Sequence, residues 1–146
     1  MKSAVIVEDD KISQKYIKRA LEGTLDLHFA STGEEGENLI EELGPDIILL
    51  DVELPDRNGY DICHKLRLKS EYLFTPIVFI SGKTNLEERI KGYQAGGDDY
   101  ITKPFETAEL IAKIKAVIRQ HEHKESLAQQ FKEAQSTAIE SMTGAS

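Results

Sequence analysis

The chain has 146 residues, 40% hydrophobic and 30% charged, the size and balance of one globular domain with its own core. A formal net charge of −8 excludes nonspecific attraction of this segment to nucleic acid or to an anionic membrane. The single cysteine, Cys63, excludes an intrachain disulfide, and no stretch suits a signal peptide or a membrane span, so a cytoplasmic location is expected.

Residues 4–7 are an apolar run that reads as a strand buried on both faces, and Glu8, Asp9 and Asp10 end it. Ile12, Tyr16, Ile17, Ala20 and Leu21 then share one helical face, with Gly23 as the stop. Leu25, Leu27 and Phe29 alternate, as in a half-exposed edge strand. The run TGEE from Thr32 fits a capping box, and Leu39, Ile40 and Leu43 mark a helix ended by Gly44-Pro45. Residues 46–51 form a third strand that closes on Asp51. Asn58-Gly59 opens a third helix bearing Tyr60, Ile62, Cys63 and Leu66. Residues 76–81 are a fourth strand. A fourth helix runs from its cap Asn85 to Gly96-Gly97, and residues 99–102 are a short fifth strand.

The fifth helix carries Leu110, Ile111, Ile114, Val117 and Ile118. Neither Pro nor Gly interrupts residues 105–143, so nothing forces it to stop near residue 119. Leu127, Phe131, Ala134, Ala138 and Met142 continue as one helical stripe. A helix from about residue 107 to 140 is predicted, ~50 Å long, with Thr143-Gly144 as its first credible end. The expected organisation is a domain over residues 1–120 and a helical extension or linker over 121–146. The extension would lead to a second copy of the chain or to an output module outside this chain.

Five β–α units in succession predict an α/β, flavodoxin-like (βα)5 three-layer sandwich. Its parallel five-stranded sheet takes the order 2-1-3-4-5, with the alternating second strand at an edge and an extended C-terminal helix. In that order the strand ends bring together Glu8, Asp9, Asp10, Asp51, Ser81 and Lys103. Asp51 directly follows four large apolar residues, and a charge at the edge of a core is costly unless it is paired or binds a metal. Clustered carboxylates repel one another, and Mg2+ (or Mn2+) removes the conflict. The same group suits phosphoryl transfer: a carboxylate nucleophile with a cation, an ammonium and a hydroxyl to neutralise the phosphoryl oxygens.

Glu8-Asp9, Asp51 followed by LPDRNG, Ser81 after an apolar strand, and Tyr100 with TKPF occur here in one order. With them the chain resembles, over about residues 3–120, the receiver domain of two-component response regulators. The resemblance implies that Asp51 accepts a phosphoryl group from a sensor histidine kinase or phosphotransfer protein. It implies Mg2+ held by Asp9, Asp51 and the backbone carbonyl of Glu53, with Glu8 acting mostly through water. Lys103 is expected to pair with Asp51 or its phosphate, and the Lys103-Pro104 peptide to be cis. Ser81 is expected to move onto the phosphoryl group, and Tyr100 to turn inward behind it. Glu53 and Lys83 are expected to tune dephosphorylation. Gly82, where many relatives have alanine, is expected to matter little. The readout face would be the fourth helix, fifth strand and fifth helix, about residues 86–119. A homodimer would form through that face or the C-terminal helix. Such a domain is no enzyme beyond its own phosphorylation and dephosphorylation.

Two rival readings use part of the pattern. A haloacid-dehalogenase-type phosphatase also has a strand-end aspartate with an acid two residues on, as in Asp51-Val52-Glu53, but places it after the first core strand. A flavodoxin would need a Ser/Thr/Gly-rich loop where this chain has acids. For Tyr100 the alternative is a permanent core aromatic. Cys63 reads as packing, and His28, His64, His121 and His123 lack metal-binding spacing.

Overall fold

The computed structural model describes residues 1–83 and 85–142. Its elements are β1 (Ser3–Val7), α1 (Lys11–Leu21), β2 (Asp26–Ala30), α2 (Gly33–Leu43), β3 (Ile47–Asp51), α3 (Gly59–Arg67), β4 (Ile77–Ser81), α4 (Leu86–Gln94), β5 (Asp99–Thr102) and α5 (Thr107–Met142). A single 3-10 turn, Ser70–Tyr72, precedes β4. The sheet is parallel, in the order β2-β1-β3-β4-β5. β1, β3 and β4 are buried on both faces and carry the unbroken apolar runs, whereas β2 lies at the edge and alternates.

Two cores flank the sheet. On one face Val5, Ile48, Leu50 and Phe79 pack with Ile40, Ile62, Cys63 and Leu66 of α2 and α3. On the other, Ile6, Leu49, Val78 and Ile101 pack with Ile17 and Leu21 of α1 and with Leu110, Ile114 and Val117 of α5. Each of these buried aliphatic side chains is worth about 1.5–3 kcal/mol of transfer free energy.

Local chemistry sets the helix ends. Asp10 caps α1, its carboxylate accepting from the Ile12 and Ser13 N–H groups and from the Ser13 hydroxyl. Thr32 caps α2 by accepting from Glu35 N at 3.1 Å. The Glu35 carboxylate reaches back one residue further than a capping box requires and accepts from Ser31 N at 2.9 Å. Gly44 closes α2 at φ 54°, a left-handed conformation in which a side chain would be strained. Asn58 and Asn85 cap α3 and α4.

The predicted inner face of α1 is corrected. Ile12 and Tyr16 are 63% and 55% exposed, while Ser13, Ile17 and Leu21 turn inward. The row at 13, 17 and 21 faces the sheet, and the neighbouring row opens beside Lys103, Pro104 and Phe105. α5 is continuous over 36 residues, about 54 Å. Only its first half is packed; from Glu122 onward every described residue is exposed. The expected stop at Thr143-Gly144 lies outside the described residues.

Candidate functional site at the strand ends

β1, β3, β4 and β5 are neighbours in parallel register, so their carboxyl ends converge on one rim. Asp51 ends β3 and is 5% exposed. Glu8 follows β1 and is 1% exposed, while Asp9 beside it faces solvent. Oxygens of Glu8, Asp9 and Asp51 all lie within 4.8 Å of one another. Lys103, just past β5, puts its ammonium against the Glu8 carboxylate and 3.2 Å from Asp51 Oδ2. Asp51 Oδ1 accepts from Glu53 N at 3.1 Å. The Lys103–Pro104 peptide is cis.

Three carboxyl groups share one ammonium at this rim, and two of them, Glu8 and Asp51, are buried. Burial, and then the shared hydrogen bond with Asp51, push the Glu8 carboxyl from its usual 4.5 up to about 8, against the pull of Lys103. Glu8 Oε2 is buried with no hydrogen-bond partner among the described residues. A divalent cation with a preference for oxygen ligands fits this donor set: it supplies the missing charge and gives the orphaned oxygen a partner, directly or through water.

A pH dependence follows. Between about pH 4.5 and 8 the folded chain holds a proton on Glu8 that the unfolded chain has lost. Without divalent cation, stability should therefore fall as pH rises through that window, by at most about 1.4 kcal/mol per pH unit. Urea unfolding at pH 5, 6, 7 and 8 measures it. Glu8→Gln should flatten the profile, and a flat wild-type profile would contradict the assignment.

Ser81 ends β4, is buried, and accepts from Lys83 N at 3.1 Å. Tyr100 points inward, and its hydroxyl donates to the Lys83 carbonyl at 2.9 Å. That hydroxyl is also 3.3 Å from the Tyr60 hydroxyl, which donates to Glu88. Ser81, Lys83 and Tyr100 thus form one chain of contacts from the rim to β5. At the mouth, Lys83 Nζ pairs with Glu53 Oε1 at 3.0 Å.

Three features had no advance reading. Glu8, not Asp51, is the closer partner of Lys103. Asp56, in the loop after Asp51, caps α2 from outside, accepting from Gly33 N at 2.7 Å and Glu34 N at 2.9 Å. That loop is further held by Gly59 N donating to Val52 O at 2.8 Å. At Gly59 any Cβ would lie 2.2 Å from the Asp51 carbonyl, so only glycine lets α3 start this close to the aspartate. The signal for both was the loop composition, with Asp56 and Asn58-Gly59 as turn formers; the long-range acceptor had none.

The sequence matches the model of the response regulator receiver domain over residues 4–115. Solved structures agree. A putative response regulator from Chloroflexus aurantiacus J-10-fl is 30% identical, with 81% of this chain and 98% of that chain covered and a TM-score of 0.77. The BeF3-activated receiver domain of DrrB, a Thermotoga maritima OmpR/PhoB homologue, is 32% identical, with 82% and 98% covered and a TM-score of 0.73. A CheY-like receiver domain protein from Methanospirillum hungatei JF-1 is 29% identical, with 85% and 98% covered and a TM-score of 0.78.

Proposed function

The chain belongs to the response regulator receiver domain family, and from that premise we propose that it is a phosphorylation-dependent switch with Asp51 as phosphoacceptor. The observation that carries the reading is the buried Asp51 carboxylate, beside Glu8 and Asp9 and within reach of the Lys103 ammonium. An Asp51 oxygen attacks the phosphorus of a phosphohistidine on a sensor histidine kinase or phosphotransfer protein. The phosphorus–nitrogen bond breaks, and the imidazole nitrogen keeps the electron pair and takes a proton. Asp9, Asp51 and the Glu53 carbonyl, with Glu8 behind them, are the residues that would hold Mg2+. That ion, when bound, neutralises charge on the phosphoryl oxygens. Lys103 supplies the second positive charge. Catalysis is confined to the chain's own phosphorylation and dephosphorylation, and the partners place it in the cytoplasm. No helix among the described residues is long and apolar enough to cross a membrane.

The signal leaves through Ser81. When its hydroxyl turns to a phosphoryl oxygen, the bond from Lys83 N is released, and the Lys83 carbonyl that anchors Tyr100 shifts with it. Phosphate thereby favours one of two arrangements of the α4–β5–α5 face. α4 presents Leu86, Ile90 and Tyr93 there, all exposed, as a surface for a partner.

Acetyl phosphate with Mg2+ tests the reading. A switch takes up one acid-stable, base-labile phosphate; continuous release of phosphate would favour a phosphatase. Lys103→Ala should still fold but no longer change α4–β5–α5 chemical shifts on phosphorylation.

The Lys83–Glu53 pair covers the mouth of the site, and Glu53 holds the Lys83 ammonium above its usual pKa through a hydrogen bond. Lys83→Ala should open the path of the attacking water and shorten the acyl phosphate lifetime at least about twofold. The urea midpoint should not move, since both side chains are solvated. An unchanged decay rate would remove the shielding role.

A further inference from the structure

Residues 122–142 of α5 form a helix about 30 Å long in which every residue is exposed. In proteins most helical stability comes from packing an amphipathic face, and no face of this segment is packed among the described residues. The segment is not polar all round. Leu127, Phe131, Ala134, Ala138 and Met142 stand within an arc of about 80° at 100° per residue. Phe131 is 64% exposed, and Leu127 and Met142 are exposed too. Ile139 stands about 60° outside the arc.

We propose that this stripe pairs with the same stripe of a second copy of the chain, antiparallel, about a two-fold axis near residues 134–135. The spacing is symmetric about that point. Turning one copy end for end sets Leu127 against Met142 and Phe131 against Ala138, with Ala134 close to the axis. Each large side chain meets a complementary one, as a self-complementary interface requires. A parallel pair in register would stack Phe131 on Phe131 and leave Ala138 facing Ala138, one layer overfilled and the next underfilled.

Charge fits a second copy as well. Glu125, Lys132, Glu133 and Glu140 lie at least about 120° from the centre of the stripe. Beside residues 127–142 its flanks are Gln130, Gln135, Thr137 and Ser141, all uncharged; Lys124, at the foot of the helix, also lies on this face but opposes no second lysine in the antiparallel pair. Two copies of a chain with net charge −8 can therefore meet along this face without opposing like charges. The apolar surface also continues past the stripe. A groove of about 330 Å3 lies between the foot of the projecting helix and the base of the receiver, lined by Leu73, Phe74, Lys124 and Ala128. Phe74 is 74% exposed. The antiparallel pair brings Met142 of the second copy beside Leu127, one residue from Ala128 of the groove lining.

The test uses the whole unphosphorylated chain, with no phosphoryl donor, so its outcome is independent of the reading of Asp51. Sedimentation velocity and small-angle scattering should show an elongated dimer with a receiver at each end. Phe131→Asp should raise the dissociation constant at least about tenfold. It should leave receiver unfolding unchanged, because Phe131 is exposed. Orientation is read by disulfide trapping, for which the native Cys63 is buried and silent. Leu127→Cys mixed with Met142→Cys should cross-link. Leu127→Cys alone should not, its two copies lying about 22 Å apart. A monomer at high concentration leaves the stripe to another polypeptide and overturns the proposal, as does a Leu127→Cys chain that links to itself.

Discussion

Asp51→Asn is expected to abolish phosphorylation while leaving the fold intact. The amide keeps the shape of the carboxylate and its place at the end of β3, where Asp51 is 5% exposed and Oδ1 accepts from Glu53 N at 3.1 Å. It loses the charged oxygen that would attack phosphorus. Labelling by acetyl phosphate should fall at least about a thousandfold, the scale seen when a nucleophile is removed. The same change removes the charge of a buried carboxylate that shares the Lys103 ammonium with Glu8. In the absence of divalent cation the variant should be at least as stable as wild type above about pH 8, where Glu8 is ionised and its repulsion with Asp51 is relieved. Intact-mass spectrometry and urea unfolding read the two halves of this expectation. Full phosphorylation of the variant on another carboxylate would sink the assignment of Asp51. A large loss of stability would show that the charge itself, and not the shape, holds the strand end.

The second large effect lies away from the site. Arg67→Ala should destabilise the domain by about 2–4 kcal/mol. The Arg67 guanidinium donates to Gly96 O at 2.9 Å, Tyr72 O at 2.7 Å and Thr75 O at 2.6 Å. It also pairs with Asp98 at 3.0 Å. Asp98 in turn accepts from Ile77 N at 2.9 Å, at the start of β4. One side chain thus ties the connection before β4 to the connection before β5. Removing it strands three carbonyls and leaves Asp98 without its counter-ion. Arg67→Lys should recover little, because one ammonium cannot span acceptors that the planar five-donor fork reaches together. Urea denaturation measures the loss. Labelling of Asp51 should persist, since none of these contacts touches the rim, and a variant as stable as wild type would show that water replaces the guanidinium at all its acceptors.

Much of this architecture was legible in the chain itself. Unbroken apolar runs at residues 4–7 and 47–50 marked strands buried on both faces, and the alternation of Leu25, Leu27 and Phe29 marked the edge strand. Together they implied the order 2-1-3-4-5 that the sheet adopts. Gly44, Asn58 and Asn85 announced helix ends because few other residues suit those backbone positions or bond those N–H groups. Asp51 drew attention for an energetic reason: a carboxylate ending a four-residue apolar run has to be compensated by something. The length of α5 followed from the absence of any residue able to stop it.

What the chain could not declare is which surfaces meet. Periodicity marks an apolar stripe on α1, but only the packing of α1 against the sheet and α5 decides that Ile17 and Leu21 are buried while Ile12 and Tyr16 are not. Strand order brings Lys103 to the acids, yet its ammonium sits closer to Glu8, 95 positions away, than to Asp51. That choice depends on where separate strand ends stop relative to one another, and no local pattern encodes it. Asp56 capping α2, and Arg67 gathering three carbonyls, are invisible for a second reason. Their partners are backbone groups, which every residue carries, so only the tertiary structure identifies the ones within reach.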